Sequence, residues 1–258
     1  MSNSAETTTN VLGLPLFRLG MDAALKVCSD RAAAASGGYA CFVNVHSLTE
    51  SQGDSRTDSA IRNATLAFPD GLPLVWASKS GARPICERVC GPDFMTALLT
   101  SRPGDAFGFI GGLPGQAERI GERFGIRALA YSPPFRPFSE ANAAEDWLGF
   151  VQLARSKFGK LPRFVWVCLG APKQELWMEA VAPRANGVFF FGVGAAIDFL
   201  AGTKSRAPVW MQKCGLEWFY RLLQEPGRLW QRYFQTNTRF IFLLLREHFG
   251  RKKRVADR

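Results

Sequence analysis

Residues that bind metal ions are scarce in this chain. Its 258 residues include two histidines, His46 and His248, and six scattered cysteines, of which Cys86 and Cys90 are the one close pair. A zinc site of paired cysteines needs a second pair at a fixed spacing, which the sequence lacks. Asp-x-Asp, which commonly chelates a divalent metal, is also missing. We therefore expect no metal site and no cofactor, and we interpret the cysteines as buried free thiols.

Long apolar segments are missing too. No apolar run reaches the roughly 18–20 residues that a membrane-spanning helix needs. Residues 1–10 are polar and rich in Ser and Thr, without the basic and apolar regions of a secretory signal peptide, so we expect none. We predict that residues 1–12 are disordered.

Acidic residues are sparse at one end of the chain. Residues 204–258 contain 13 Lys and Arg against 4 Asp and Glu, whereas the first 203 residues contain 19 against 18. The net charge of +10 therefore lies almost entirely in the C-terminal segment. Concentrated positive charge favours an anionic partner, which is either a lipid surface or a nucleic acid.

Short apolar runs alternate with helical patterns up to about residue 203. The predicted strands are 39–45, 106–110, 127–131, 164–169 and 187–191, and the predicted helices include 72–80 and 139–158. This alternation indicates an α/β fold with a Rossmann-like, mostly parallel sheet covered by helices. Residues 51–60 are predicted to form a polar loop. We assign residues 13–203 to a main domain and residues 204–258 to a basic helical appendage, with helices at 210–223 and 227–249.

Glycines follow three of the predicted strands. They are Gly111 and Gly112 after the strand at 106–110, Gly170 after the strand at 164–169, and Gly194 after the strand at 187–191. The carboxyl ends of parallel strands line a ligand crevice, where glycines let backbone amides approach a phosphate. Gln174 and Asp198 come just beyond two of these loops. The pattern predicts a site for a phosphorylated small molecule, although each loop alone is equally consistent with a tight turn.

Three aspartates and one histidine are candidate acid–base groups. Asp70 stands in Pro-Asp-Gly, Asp93 in Gly-Pro-Asp, Asp198 beyond the last glycine loop, and His46 beyond the first predicted strand. A carboxylate fixed at a strand-to-helix loop suits a base that takes a proton from a sugar hydroxyl. Aspartates at such positions are also common turn and helix-capping residues. A lone histidine beside an apolar strand is more often packed than catalytic.

The appendage mixes arginines with large apolar residues. Arg232, Arg239 and Arg246 are seven residues apart, so they lie along one helix face, and residues 240–245 are all apolar. This composition is typical of a helix in a membrane interface. An amphipathic helix docked on the main domain would show a similar pattern, and the charge would also attract nucleic acid. We favour the membrane, because the apolar run 240–245 is hard to leave in water and no nucleic-acid-binding motif accompanies the arginines.

An ordered series of short motifs resembles the WecG/TagA/CpsF glycosyltransferases, glycosyltransferase family 26. The motifs are Asn44, Pro69-Asp70-Gly71, Arg88-Val89-Cys90-Gly91-Pro92-Asp93, Gly111-Gly112 with Gly115, Pro133-Pro134-Phe135, Gly170-Ala171-Pro172-Lys173-Gln174-Glu175, Gly192-Val193-Gly194-Ala195 with Asp198 and Gly202, Arg206-Ala207-Pro208, Glu217-Trp218, Arg221, Glu225-Pro226, and Arg228 with Arg232-Tyr233. They cover about residues 12–235, and their order makes the resemblance specific.

The resemblance implies an inverting, metal-independent transfer of a sugar from a nucleotide-diphosphate donor, such as a UDP-hexose or a UDP-N-acetylhexosamine derivative. The implied acceptor is a saccharide on a polyprenyl diphosphate at the cytoplasmic face of the bacterial inner membrane, where cell-envelope polysaccharides are made. Asp70 is the implied catalytic base. The implied donor- and acceptor-binding residues are Asn44, Asp93, Gly111, Gly112, Gly170, Gln174, Gly194, Asp198 and Arg206. Arg221, Arg228 and Arg232 would meet the diphosphate and the membrane.

The chain departs from the family pattern at two positions. Relatives have Thr two residues before the motif Asn and an acidic residue two after it, whereas this chain has Phe42 and His46. The resemblance therefore does not imply which sugar is transferred. Two alternatives stay open: a soluble nucleotide-sugar-modifying enzyme, and a non-catalytic module that binds anionic lipid or nucleic acid. The oligomeric state is open as well.

Overall fold

The computed structural model describes residues 4–79 and 81–256. The strands are β1 Thr8–Val11, β2 Leu14–Phe17, β3 Gly38–Val43, β4 Leu66–Pro69, β5 Ala106–Gly111, β6 Arg127–Tyr131, β7 Phe164–Cys168 and β8 Phe189–Gly192. The helices are α1 Ser4–Thr7, α2 Met21–Ala33, α3 Val45–Ser51, α4 Ser55–Arg62, α5 Leu72–Ser78, α6 Gly91–Thr100, α7 Gln116–Phe124, α8 Glu140–Phe158, α9 Lys173–Val181, α10 Ala196–Leu200, α11 Val209–Lys213, α12 Glu217–Gln224 and α13 Pro226–Ala256.

Six strands form one sheet in the order β4-β3-β8-β7-β5-β6. Every neighbouring pair is parallel. The predicted α/β fold is therefore confirmed. Because all six strands run in the same direction, the loops that follow β3, β4, β5, β7 and β8 open at one edge of the sheet, where ligands of such folds bind.

Both faces of the sheet are buried, which explains why its central strands read as continuous apolar runs. In β8, Phe189 and Phe191 face one core and Phe190 faces the other. The first core is covered by α2, α6, α7 and α10, and the second by α3, α4, α8 and α9. The helices on both faces therefore leave the carboxyl edge of the sheet as the place for a site.

The N-terminal segment is ordered where we predicted disorder. Thr8–Val11 pairs with Leu14–Phe17 as an antiparallel hairpin, so the prediction for residues 1–12 is wrong there. Val11, Leu14 and Leu16 are buried in the second core, and this burial offsets the entropy of ordering a polar segment. Residues 1–3 lie outside the described ones.

The predicted polar loop at 51–60 is mostly helical, which corrects that prediction. Helix α3 ends at Ser51, and α4 begins directly after Asp54. The Asp54 carboxylate caps α4 by accepting hydrogen bonds from the backbone amide of Arg56 at 3.2 Å and from the Thr57 hydroxyl at 2.8 Å. Ser51 and Thr57 are buried, because their hydroxyls bond locally and need no water.

The appendage contains three helices rather than the predicted two. The segment 210–223 is interrupted at Gly215, whose φ of +75° ends α11 in a left-handed turn. Helix α13 then packs beside α3, and its Phe240 and Leu243 enter the second core. None of the described helices is both long enough and apolar enough to cross a membrane. The domain boundary at residue 203 stays a prediction.

Close packing at Gly108 in β5 gives a test of this fold. An added methyl group would overlap Phe150 Cζ and lie 3.0 Å from Val165 Cγ2. We expect Gly108→Ala to lower the free energy of unfolding by about 1–3 kcal/mol through overpacking. Gly227→Ala is the control, because no described atom lies within 4 Å of its added methyl. Chemical denaturation measures both, and equal stability of the two variants would contradict the packing.

Candidate active site

The carboxyl edge of the sheet brings several predicted residues together. Asn44 follows β3, Asp70 follows β4, Gly111 ends β5, and Gly170 and Gly194 follow β7 and β8. Adjacent loops are also bonded to each other, since the Asp70 amide donates to the Val43 carbonyl at 2.7 Å. The parallel topology thus places these residues around one crevice.

Asp70 is a half-buried carboxyl group whose pKa is raised to about 7. Burial is the main cause, and the negative charge of Glu217 adds to it. Arg88, the backbone amide of Gly91 and Arg221 act in the opposite direction but do not outweigh burial. A carboxyl group with a pKa near neutrality is suited to take up a proton at physiological pH.

Four charged side chains beside Asp70 join the appendage to the main domain, and we call them the appendage latch: Arg88, Asp93, Arg206 and Glu217. Arg206 makes a two-point hydrogen bond to the Asp93 carboxylate, and its Nε donates to Glu217 Oε1 at 3.0 Å. Arg88 donates to the other Glu217 oxygen at 3.4 Å. Arg206 is thus shared between two carboxylates, and the ligand-binding role that we predicted for it stays a prediction.

The latch also sets the ionisation of Asp93. Burial favours the neutral acid, but hydrogen bonds from Arg206 and from the Cys90 thiol lower the pKa of Asp93 on balance. The Cys90 sulfur lies 2.8 Å from Asp93 Oδ2. Asp93 is therefore held as an anion by the latch, which explains its position without a ligand.

Gly111 and Gly112 form a left-handed loop after β5, with φ values of +89° and +87°. The loop is held by Gln116, whose Oε1 accepts from the Leu113 amide at 2.8 Å. The Gln116 Nε2 donates to Asp198 Oδ1 and to Thr203 Oγ1, both at 2.8 Å. Our sequence reasoning missed Gln116. Its position in the first turn of the helix after a glycine loop was the available signal.

Asp198 lies beside this loop but already has protein partners. Besides Gln116, Lys204 lies 3.4 Å from its second carboxylate oxygen. Its backbone carbonyl accepts from the amides of Thr203 and Lys204. These contacts fix the turn that leads into the appendage, and a ligand contact for Asp198 stays a prediction.

Gln174, Gly170 and Gly194 surround one part of the crevice, which we call the Gln174 cleft. Gln174 Oε1 lies 3.5 Å from the point that a Cβ on Gly194 would occupy, and the Gly170 Cα lies 4.0 Å from the same point. Gln174 is 5% exposed. The structure thus brings these three predicted residues together.

Asn44 and His46 lie at the start of α3, where Asn44 caps the helix. The Asn44 side chain accepts from the Ser47 amide at 3.1 Å, and the Ser47 hydroxyl accepts from the Asn44 amide at 2.9 Å, which makes a capping box. Burial lowers the pKa of His46 to about 4, and nearby Arg232 contributes, so His46 is neutral at pH 7. Phe42 is buried in the first core and does not line the crevice.

Two of the three predicted appendage arginines reach this edge of the sheet. Arg221 lies over the Phe199 ring at 5.7 Å and is near enough to Asp70 to affect its pKa. Arg232 lies near His46. Arg228 instead forms an ion pair with Glu225.

The cysteines only partly match our expectation. All six are free thiols, but Cys86 and Cys214 are exposed, so the prediction that the thiols are buried is wrong for these two. Within residues 4–79 and 81–256, no group of three or more His, Cys, Asp or Glu side chains is placed to hold a metal ion.

Comparison with known sequences identifies the family. The model of the glycosyl transferase WecG/TagA/CpsF family matches residues 9–254. The chain belongs to this family. It is therefore a glycosyltransferase, which rules out the non-catalytic binding module. An N-acetylglucosaminyldiphosphoundecaprenol N-acetyl-beta-D-mannosaminyltransferase of Bacillus spizizenii is 29% identical over 210 residues, which are 76% of this chain and 74% of that relative.

The raised pKa of Asp70 predicts a cost to stability in this WecG/TagA/CpsF family member. The folded-state pKa of about 7 exceeds the ordinary value of 3.8, so the folded state holds this proton more tightly, and stability is lost as pH rises through that interval. Asp70→Asn cannot ionise. We therefore expect the Tm difference between Asp70→Asn and wild type to favour the variant more at pH 8 than at pH 5. Thermal unfolding measures it.

Asp22→Asn, on the exposed side of α2, is the control for this measurement. Its Tm difference from wild type should be the same at both pH values. A Tm difference for Asp70→Asn that also stays constant between pH 5 and pH 8 would show that Asp70 ionises normally.

Proposed function

We propose that the chain transfers a sugar from a nucleotide-diphosphate donor to a saccharide carried on a polyprenyl diphosphate. Asp70 carries this proposal, because it is a carboxyl group with a pKa near 7 at the carboxyl edge of the sheet, with arginines nearby. Family membership supports the reaction type. The name of the Bacillus spizizenii relative supports a sugar on undecaprenyl diphosphate as the acceptor.

The proposed reaction is a single inverting displacement. The Asp70 carboxylate takes the proton of an acceptor hydroxyl, and that oxygen attacks the anomeric carbon of the donor sugar. The new carbon–oxygen bond forms as the bond from that carbon to the diphosphate oxygen breaks, and the nucleoside diphosphate leaves with the electron pair. Attack from the face opposite the leaving group inverts the anomeric carbon.

Cationic side chains and backbone amides would stabilise the leaving diphosphate without a metal ion. Arg221 and Arg232 lie at the same edge of the sheet as Asp70. The Gly111-Gly112 loop, held open by Gln116, supplies backbone that a phosphate can approach. Arginine and amide donors are well suited to spread diphosphate charge. We propose a UDP-hexose or a UDP-N-acetylhexosamine derivative as the donor.

We also propose that α13 holds the enzyme at the cytoplasmic face of the bacterial inner membrane, where its product enters polysaccharide synthesis. Trp230, Phe234, Ile241 and Leu245 are exposed. At 100° per residue they fall within about 60° of one another, on the side opposite Phe240 and Leu243. This apolar stripe therefore faces away from the main domain, as a helix that lies in a lipid interface requires.

Replacement of the base tests the reaction. We expect Asp70→Asn to lower kcat by roughly 10²-fold or more, which is the usual contribution of a general base. In wild type, kcat/KM should rise with pH and level off above about pH 7, because the base must be ionised. The assay follows transfer from nucleotide sugars to a short-chain prenyl-diphosphate saccharide, with Asp22→Asn as the control. Retention of most of the turnover by Asp70→Asn would remove Asp70 from this role.

Replacement of the apolar stripe tests membrane binding. Truncation of α13 would expose the core around Phe240 and Leu243. Point substitutions are therefore the better test. We expect Trp230→Ser with Ile241→Ser to weaken binding to anionic vesicles about tenfold or more, since burial of each side chain in lipid contributes up to ~2 kcal/mol. Leu148→Ser, an exposed leucine on α8, is the matched control. Unchanged co-sedimentation of the double variant would contradict the proposed surface.

A further inference from the structure

The side-chain amide of Gln174 is held in one orientation. Its Nε2 donates to Glu175 Oε1 at 3.0 Å and to the Gly192 carbonyl at 3.1 Å. Both partners are oxygen acceptors, and Nε2 has two hydrogens to give. A rotated amide would set Oε1 against both of these oxygens. The orientation is therefore imposed by the two neighbours.

That orientation presents an unused acceptor to the Gln174 cleft. Gln174 Oε1 has no hydrogen-bond partner among the described residues, and the side chain is 5% exposed. A buried oxygen without a donor is unfavourable, because it has lost its hydrogen bonds to water and gained none. Oε1 lies 3.5 Å from the Cβ position of Gly194 and near Gly170, on loops at the edge of the sheet where ligands of such folds bind.

The buried position of Glu175 is unfavourable for a carboxyl group. It is 1% exposed, and its Oε2 has no partner among the described residues. Burial raises the pKa of Glu175. A proton on Oε2 would leave Oε1 free to accept from Gln174, so the contact survives in either ionisation state. A buried carboxyl group with an unpaired oxygen is weak evidence of a role in stability.

We propose that Glu175 is a positioning residue that, together with the Gly192 carbonyl, turns Gln174 Oε1 into the cleft to accept a hydrogen bond from the bound nucleotide sugar. The sugar supplies the donor as a hydroxyl or as the N–H of an acetamido group. This inference rests on the proposed function, and it extends that function by giving a role to a residue that does not touch the substrate.

Removal of the Glu175 acceptor tests the proposal. Glu175→Met should raise the KM for the nucleotide sugar about tenfold or more, because Gln174 loses one of the two acceptors that hold its amide. Glu175→Gln keeps an acceptor oxygen and should recover part of the loss. The control is Glu179→Gln, one turn later on α9, where the carboxylate accepts from Ser59 and Asn63 instead. A lower Tm with an unchanged KM in Glu175→Met would show a structural role and overturn the proposal.

A double-mutant cycle separates positioning from a general disturbance of α9. In the Gln174→Ala background the amide is gone, so Glu175→Met should change the KM by less than about twofold. If Glu175→Met costs the same in both backgrounds, Glu175 does not act through Gln174, and the proposal fails.

A measurement without substrate keeps this inference distinct from the proposed function. If wild type transfers no sugar from any donor, the proposed function fails. In that case, NMR of the Gln174 side-chain amide still tests whether Glu175 holds the amide in place. Its two hydrogens should exchange slowly with solvent in wild type, and at least one should exchange faster in Glu175→Met. Equal protection in both proteins would overturn the positioning role by itself.

Discussion

The Glu217 carboxylate links the docking of the appendage to the ionisation of the proposed base, Asp70. It accepts from Arg88 of the main domain and from Arg206 at the start of the appendage, and Arg206 in turn binds Asp93. The latch fixes where α12 and α13 begin. Helix α13 can then lie beside α3 with Phe240 and Leu243 in the core, and its apolar stripe faces outward.

The same charged side chains also influence the acidity of Asp70. Arg88 and Arg221 are close enough to hold a carboxylate ionised, and alone they would lower its pKa. Glu217 forms an ion pair with Arg88 and adds a negative charge near Asp70, which raises the Asp70 pKa. Burial disfavours the ionised form of Asp70 as well. Burial prevails, so the pKa is near 7. The ion network that docks the appendage therefore also adjusts the pKa that burial raises.

Local pattern predicted five of the six strands of the sheet and the residues at their ends, but not β4, which leads to Asp70. Continuous apolar runs such as 164–168 are found where both faces of a strand are buried, and glycines and Asp70 follow the strands in order. Hydrogen bonds between residues far apart in the sequence could not be predicted from local pattern. Arg206 meets Asp93 across 113 positions, and Gln116 meets Asp198 across 82. The helix α4 was missed because buried hydroxyls, as in Thr57, look polar in sequence yet bond locally in the fold.

The central claim is that burial, with the negative charge of Glu217 beside it, gives Asp70 a pKa near neutrality. The most direct test is a titration of the Asp70 carboxyl carbon by ¹³C NMR, in wild type and in Glu217→Gln. The account predicts a midpoint of about pH 7 in wild type and a lower midpoint in the variant, since Arg88 is then released toward Asp70 and a negative charge is lost. A midpoint near the ordinary aspartate value in both proteins would contradict it.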